Sequence, residues 1–155
     1  MKHSVLFVEG LFSYKNPFLN CVYKSYYDFF KKLNFDVIHK PWTDKDPVSV
    51  NVALIHSYGL KYALNYLHEV DLLFTFDGRC PSRYGDHSKI KSSQFLAHEH
   101  YNFYQQEFGL INMFVPGYMI QGAKNTYCKT IHTNVPNFAK KDVEKIVMEK
   151  YNLFG

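Results

Sequence analysis

The 155-residue sequence predicts an α/β protein, a three-layer sandwich in which a mainly parallel sheet carries helices on both faces. Short apolar runs typical of buried strands alternate along the chain with segments whose apolar residues recur at helical spacing. The apolar runs are nearly continuous, as expected for strands covered on both faces. The length suits one compact unit, so we expect a single domain over residues 1–155.

In the first half, apolar runs bounded by Gly or Pro predict strands, and longer periodic segments predict helices. The predicted elements are strand 4–8, helix 17–33, strand 35–39, strand 50–56 and a helix from 60 to about 68. Pro17 suits a first helical turn. The connection from His39 to Val50 is short for a helical crossover. Either it crosses the sheet as extended chain, or the strand assignment there is wrong.

The second half continues the alternation, although residues 94–106 fit both a helix and a strand. The predicted elements are strand 71–76, a loop over 78–91, a strand favoured over 101–105, strand 127–131 and helix 142–151. Because active groups of parallel sheets collect at the carboxyl ends of strands, residues that follow these strands are the first candidates for a site.

Composition narrows the class of protein. The aromatic content of 18% argues against disorder, and the net charge of +4 comes from scattered lysines, so no nucleic-acid partner is expected. Three cysteines without a C-x-x-C pair fit a reducing compartment, and we expect Cys21 and Cys128 to be buried. No window reaches the roughly 18 apolar residues of a membrane span. We therefore expect a cytoplasmic protein; its oligomeric state is left open.

The segment Asn51 to Leu64 (NVALIHSYGLKYAL) places Ser57 between a predicted buried strand and a helix. A bare S-x-G is commonly a turn, but this position is also that of a nucleophile at a strand-to-helix elbow. Asp77 follows the next strand, and His132 comes late in the chain. Taken alone, Asp77 is an ordinary Asp-Gly turn residue and His132 a loop residue before a helix.

Three segments together resemble the α/β-hydrolase superfamily, in particular its small bacterial and phage lipase-like members. They are HSYG (56–59), VDLLFTFDGRCP (70–81), and GAKN (122–125) followed by IHTNVPNF (131–138). The NFYQ of residues 102–105 resembles a strand of the same group. The resemblance covers most of residues 5–150 and implies a minimal α/β-hydrolase-like fold without the usual first two strands.

The resemblance implies a serine esterase that acts on a carboxylic ester or thioester and needs no cofactor. Ser57 is then the nucleophile, His132 the base, and Asp77 the acid that orients His132. The backbone N–H groups of Leu11 and Tyr58 are the expected oxyanion donors. Residues 79–98 and 107–124 would flank the pocket, where Leu110, Ile111, Met113, Phe114 and Met119 could receive an acyl chain or form a protein interface.

Other interpretations stay open at this stage. Ile55 and Glu9 depart from the family pattern, which leaves room for a binding protein with the same fold and no turnover. The aromatic residues of 101–104 could stack nucleobases, although core packing fits them better. His87 with His98-Glu99-His100 could be drawn as a metal site, but no H-E-x-x-H motif supports it, and no metal is expected.

Overall fold

The computed structural model describes residues 2–10, 20–79, 90–106 and 117–153. Six strands form one sheet: β1 Ser4–Glu9, β2 Asp36–Pro41, β3 Val52–His56, β4 Val70–Phe76, β5 Ala97–Tyr104 and β6 Lys124–Tyr127. Four α-helices are present in this part of the chain: α1 Cys21–Lys32, α2 Gly59–Tyr66, α3 Val135–Phe138 and α4 Lys140–Lys150. Short 3₁₀ turns span Ser92–Gln94 and His132–Asn134.

The sheet is parallel throughout and is covered on both faces. The strand order is β2-β1-β3-β4-β5-β6, and all five neighbouring pairs are parallel. Helices α1, α3 and α4 pack on one face and α2 packs on the other. Each face of the sheet has its own hydrophobic core, and successive residues of a strand point into opposite cores. Leu54 therefore faces α1, while Ile55 faces α2. The predicted α/β three-layer class is confirmed.

The strand order sets where a site can form. From β1 the chain moves to one side to make β2 and then returns to the other side to make β3. Connections that leave adjacent strands in opposite directions open a crevice at their carboxyl ends. That crevice lies between the ends of β1 and β3, where Gly10 and Ser57 are found.

The connection between β2 and β3 contains no helix and crosses the sheet as extended chain. Val48 forms an isolated parallel bridge with Leu67, just after α2. The Tyr62 hydroxyl donates to the carbonyl oxygen of Asp46 at 2.6 Å. These contacts hold the crossover against the end of α2, so the extended-chain alternative is correct.

Three predicted boundaries are wrong by several residues, one of them that of the strand favoured over 101–105, which begins at Ala97. The last strand is not 127–131: β6 ends at Tyr127, and its four residues are all exposed, so no apolar pattern marked it. The helix predicted from residue 17 begins at Cys21, because the buried Glu9 carboxylate accepts the backbone N–H groups of Val22 and Tyr23 at 3.2 and 3.0 Å. Pro17 lies outside the described residues.

No helix in the described ranges is long and apolar enough to cross a membrane.

Candidate active site

Ser57 occupies the turn between β3 and α2 in a left-handed backbone conformation, with φ of 55°. Its N–H donates to the Phe76 carbonyl at 3.1 Å, and its carbonyl accepts from the Arg79 N–H at 2.9 Å. Left-handed backbone is uncommon for a residue with a Cβ other than Asn or Asp, and it persists where surrounding contacts impose it. The bonds to the segment after β4 impose it here.

Gly10 allows the end of β1 to approach Ser57 closely. A Cβ at position 10 would lie 2.6 Å from the Ser57 Cβ and 3.1 Å from its Oγ. Any larger residue would displace the serine side chain. Gly10 is therefore required for the turn that positions Ser57.

Ile55 is fully buried against α2. The space it needs comes from Gly59, the first residue of α2. A Cβ on Gly59 would lie 3.1 Å from the Ile55 Cγ2 and 2.9 Å from the Val8 Cγ1. The bulk of Ile55 is thus accommodated by a glycine four residues later.

Asp77 and His132 form a buried hydrogen-bonded pair, with the His132 Nδ1 bonded to the Asp77 Oδ2. The same carboxylate oxygen accepts from the Gln105 Nε2 at 2.9 Å and from the Arg79 Nη2 at 3.3 Å. Burial raises the pKa of Asp77, but the hydrogen bonds and charges of these partners outweigh burial, so the pKa lies below its usual value. Asp77 is therefore ionised at neutral pH.

Gly117 packs directly on that carboxylate. A Cβ at position 117 would lie 1.6 Å from the Asp77 Oδ1, and the Gly117 N–H donates to the Gln105 carbonyl at 2.8 Å. Asp77 is fully buried and also has positive φ, at 49°. The carboxylate is consequently fixed in position from several sides.

His56 links the serine turn to the turn that carries His132. Its ring stacks on the His132 ring with centroids 4.7 Å apart, and its Nε2 donates to the His132 carbonyl at 3.2 Å. Burial, followed by the nearby charge of His132, lowers the pKa of His56 to about 3. His56 is therefore neutral, with a buried Nδ1 that has no hydrogen-bond partner in the described structure.

Helix α1 holds the His132 turn from the other side. The hydroxyl of the buried Tyr26 donates to the Pro136 carbonyl at 2.6 Å, in α3 directly after the turn. Only 13% of the His132 side chain is exposed. The base position is thus supported by α1, by His56 and by Asp77.

The structure brings two of the three predicted catalytic residues into direct contact. Within the described ranges no hydrogen bond joins the Ser57 Oγ to His132, although His56 places the two residues beside each other. The Tyr58 N–H is taken up by no backbone hydrogen bond in the same ranges, as an oxyanion donor requires. Leu11, the second expected donor, lies outside the described residues.

Several other sequence candidates have separate positions. Glu9 caps α1 and bonds the His39 Nε2 at 2.9 Å, which gives it a structural role. His98 is bonded to Glu69 at the surface, whereas the buried His100 lies between Thr75 and Ser92. His87, Cys80 and four of the five proposed acyl-chain contacts lie outside the described residues, and Met119 is exposed.

Sequence reasoning missed the partners of Asp77. Gln105 ends the NFYQ segment and Arg79 follows the Asp-Gly pair, so both stood in segments already singled out. Neither position has a local pattern that predicts a bond to the carboxylate. Gln105 comes beside Asp77 only when β4 and β5 pair, whereas Arg79 bonds Asp77 from two residues further along the chain.

Comparison of the chain with protein-family models, with curated proteins and with solved structures finds no match.

Proposed function

We propose that the protein is a serine hydrolase that cleaves a carboxylic ester or thioester through an acyl-enzyme on Ser57. The observation that carries the proposal is the left-handed Ser57 at a strand-to-helix turn, beside a buried carboxylate–histidine pair. This turn lies at the carboxyl edge of the sheet, where parallel sheets place their sites.

In this reaction the Ser57 Oγ attacks the acyl carbonyl while His132 accepts the hydroxyl proton. The ionised Asp77 holds the His132 Nδ1–H and stabilises the imidazolium that forms. The Tyr58 N–H donates to the developing oxyanion. His132 then protonates the departing alcohol or thiol, and water attacks the acyl-enzyme to release the carboxylic acid and regenerate Ser57.

One observation favours the alternative of a binding protein without turnover. The Ser57 Oγ makes no hydrogen bond to His132 in the described structure, whereas an active pair requires contact at about 2.6–3.2 Å during the reaction. Hydrolysis therefore needs the Ser57 hydroxyl and the His132 ring to come into hydrogen-bond contact when substrate binds.

A fluorophosphonate probe separates the two functions, because it modifies a serine only where a base activates the hydroxyl. We expect an adduct that mass spectrometry locates on Ser57. Ser57→Ala should lose both the adduct and the turnover of a short p-nitrophenyl ester, by a factor of about 10³ or more. Ser49→Ala, an exposed serine in the connection between β2 and β3, is the matched control. An intact, folded protein that is not labelled at Ser57 is a binding protein.

A further inference from the structure

A polar cleft of about 660 Å³ lies between α1 and the segment that carries His132. Seven of its lining residues bear hydroxyl, amide or ammonium groups: Lys24, Ser25, Thr130, Thr133, Asn134, Asn137 and Lys140. The volume falls in the range of small-molecule sites, which is roughly 300–1,000 Å³. The mechanism above uses none of these side chains.

The cleft adjoins the turn that carries His132, although His132 itself is not among its lining residues. Ile131 and Thr133, which flank His132 in sequence, both line it. In ester and thioester cleavage the base returns its proton to the leaving group, so the leaving group must lie beside the histidine. The space next to the His132 turn is therefore the place for the alcohol or thiol half of the substrate.

The chemistry of the lining selects an anion. Lys24 and Lys140 contribute two positive charges, and no acidic side chain lines the cleft. Glu144 approaches the Lys140 Nζ only to 4.0 Å, which leaves ammonium donors available. The Asn134 Nδ2 donates to the Thr130 Oγ1 at 2.9 Å and fixes that wall. Ammonium, amide and hydroxyl donors together suit the oxygen atoms of a phosphate.

We propose that this cleft binds a phosphate group on the leaving half of the substrate, so that the preferred substrate is a phosphate-bearing ester or thioester. That the phosphate belongs to a substrate rests on the proposed hydrolase function, whereas the anion site itself is inferred from the cleft alone. Lys24 and Lys140 neutralise the phosphate, and Ser25, Thr133 and Asn137 donate to its oxygens.

The kinetic test uses two thioesters that differ only in the phosphate, acetyl-pantetheine and acetyl-4′-phosphopantetheine. Wild type should hydrolyse the phosphorylated thioester with a kcat/KM about tenfold higher. In Lys24→Gln/Lys140→Gln this ratio should fall to about one. Lys141→Gln/Lys145→Gln changes the net charge equally on exposed α4 positions outside the cleft, and it should keep the wild-type ratio.

The binding test does not depend on turnover. Inorganic phosphate is titrated into Ser57→Ala, and the backbone amide signals of Thr133 and Asn137 are followed by NMR. Saturable shifts that disappear when Lys24 and Lys140 are replaced support the anion site. If these shifts occur and neither thioester is hydrolysed by wild type, the hydrolase proposal fails and the anion site stands. Absent shifts together with equal thioester rates overturn the anion site, even in an active hydrolase.

Discussion

At the scale of single residues, the contact between Gly10 and Ser57 sets the geometry of the serine turn. The two residues leave two different strands and meet where a Cβ on residue 10 would be 2.6 Å from the Ser57 Cβ. Ser57 also keeps a φ of 55°, which favours glycine. Steric crowding and backbone strain therefore act on the same residue and can be separated by substitution.

A double-mutant cycle tests this crowding. Gly10→Ala should lower the free energy of unfolding by about 1–3 kcal/mol, because the new methyl group overlaps the serine side chain. Ser57→Gly should be neutral or slightly stabilising, since glycine adopts the left-handed backbone without strain. In the double variant most of the Gly10→Ala loss should return. Urea denaturation gives the four values, and additive effects of the two substitutions would contradict direct contact.

At the scale of elements, polar side chains connect β4, β5 and β6 through the interior. The Thr75 Oγ1 donates to the Asn102 Oδ1 at 2.8 Å, and the Asn102 Nδ2 donates to the Asn125 Oδ1 at 2.9 Å. The Asn125 Nδ2 in turn donates to the Ile120 carbonyl at 3.0 Å. The asparagines of the NFYQ and GAKN segments thus attach the exposed strand β6 and the chain before it to the buried sheet.

Asn102→Ala should show how much this connection stabilises the fold. The substitution leaves the buried Thr75 hydroxyl without the acceptor it now uses, so the free energy of unfolding should fall by about 2 kcal/mol or more. Asn65→Ala is the control: Asn65 is exposed and makes one local bond to the Lys61 carbonyl, and its loss should cost less than about 0.5 kcal/mol. Similar losses of unfolding free energy in both variants would show that the interior hydrogen bonds contribute no more to stability than one exposed local bond.

Elements with strong apolar patterns could be predicted from the sequence, and those set by distant contacts could not. Strands β1, β3 and β4 are almost wholly buried, so their continuous apolar runs identified them. Strand β6 carries four exposed residues and is placed by Asn125 instead. The start of α1 depends on Glu9, which lies 13 residues before Val22.

The candidate site, too, could be predicted from the sequence only in part. The chain order of Ser57, Asp77 and His132 could be read from the sequence, and so could the positions of Ser57 and Asp77 directly after strands; His132 instead lies beyond the end of β6. The hydrogen bonds of Gln105 to Asp77 and of His56 to the His132 carbonyl join residues far apart in the chain, so no local pattern encodes them.

At the scale of the whole molecule, two buried neutral histidines make stability depend on pH. Burial lowers the pKa of His56 to about 3 and that of His100 to about 4, against 6.5 in the unfolded chain. Between pH 6.5 and 4 the unfolded state therefore binds more protons than the folded state. Stability is highest above pH 6.5 and falls as the solution is acidified.

Each of these histidines should remove roughly 2 kcal/mol of stability between pH 7 and pH 5. Urea denaturation at pH 7, 6 and 5 measures the slope. His100→Gln should be less stable at every pH but should show a shallower slope, by about one proton. His68→Gln, at an exposed position, should keep the wild-type slope. An unchanged slope in His100→Gln would show that His100 stays neutral on unfolding or is protonated when folded.

The 55 positions that separate Asp77 from His132 determine when the pair can exist during synthesis. The ribosome releases β1, β3 and β4 first, and the carboxylate emerges long before its histidine. The Tyr26 hydroxyl, which is also made much earlier, has to wait equally long for its acceptor, the Pro136 carbonyl. If Ser57 is the nucleophile, a nascent chain carries its hydroxyl without a base until His132 has been made, and hydrolysis begins only when the segment that carries His132 has docked.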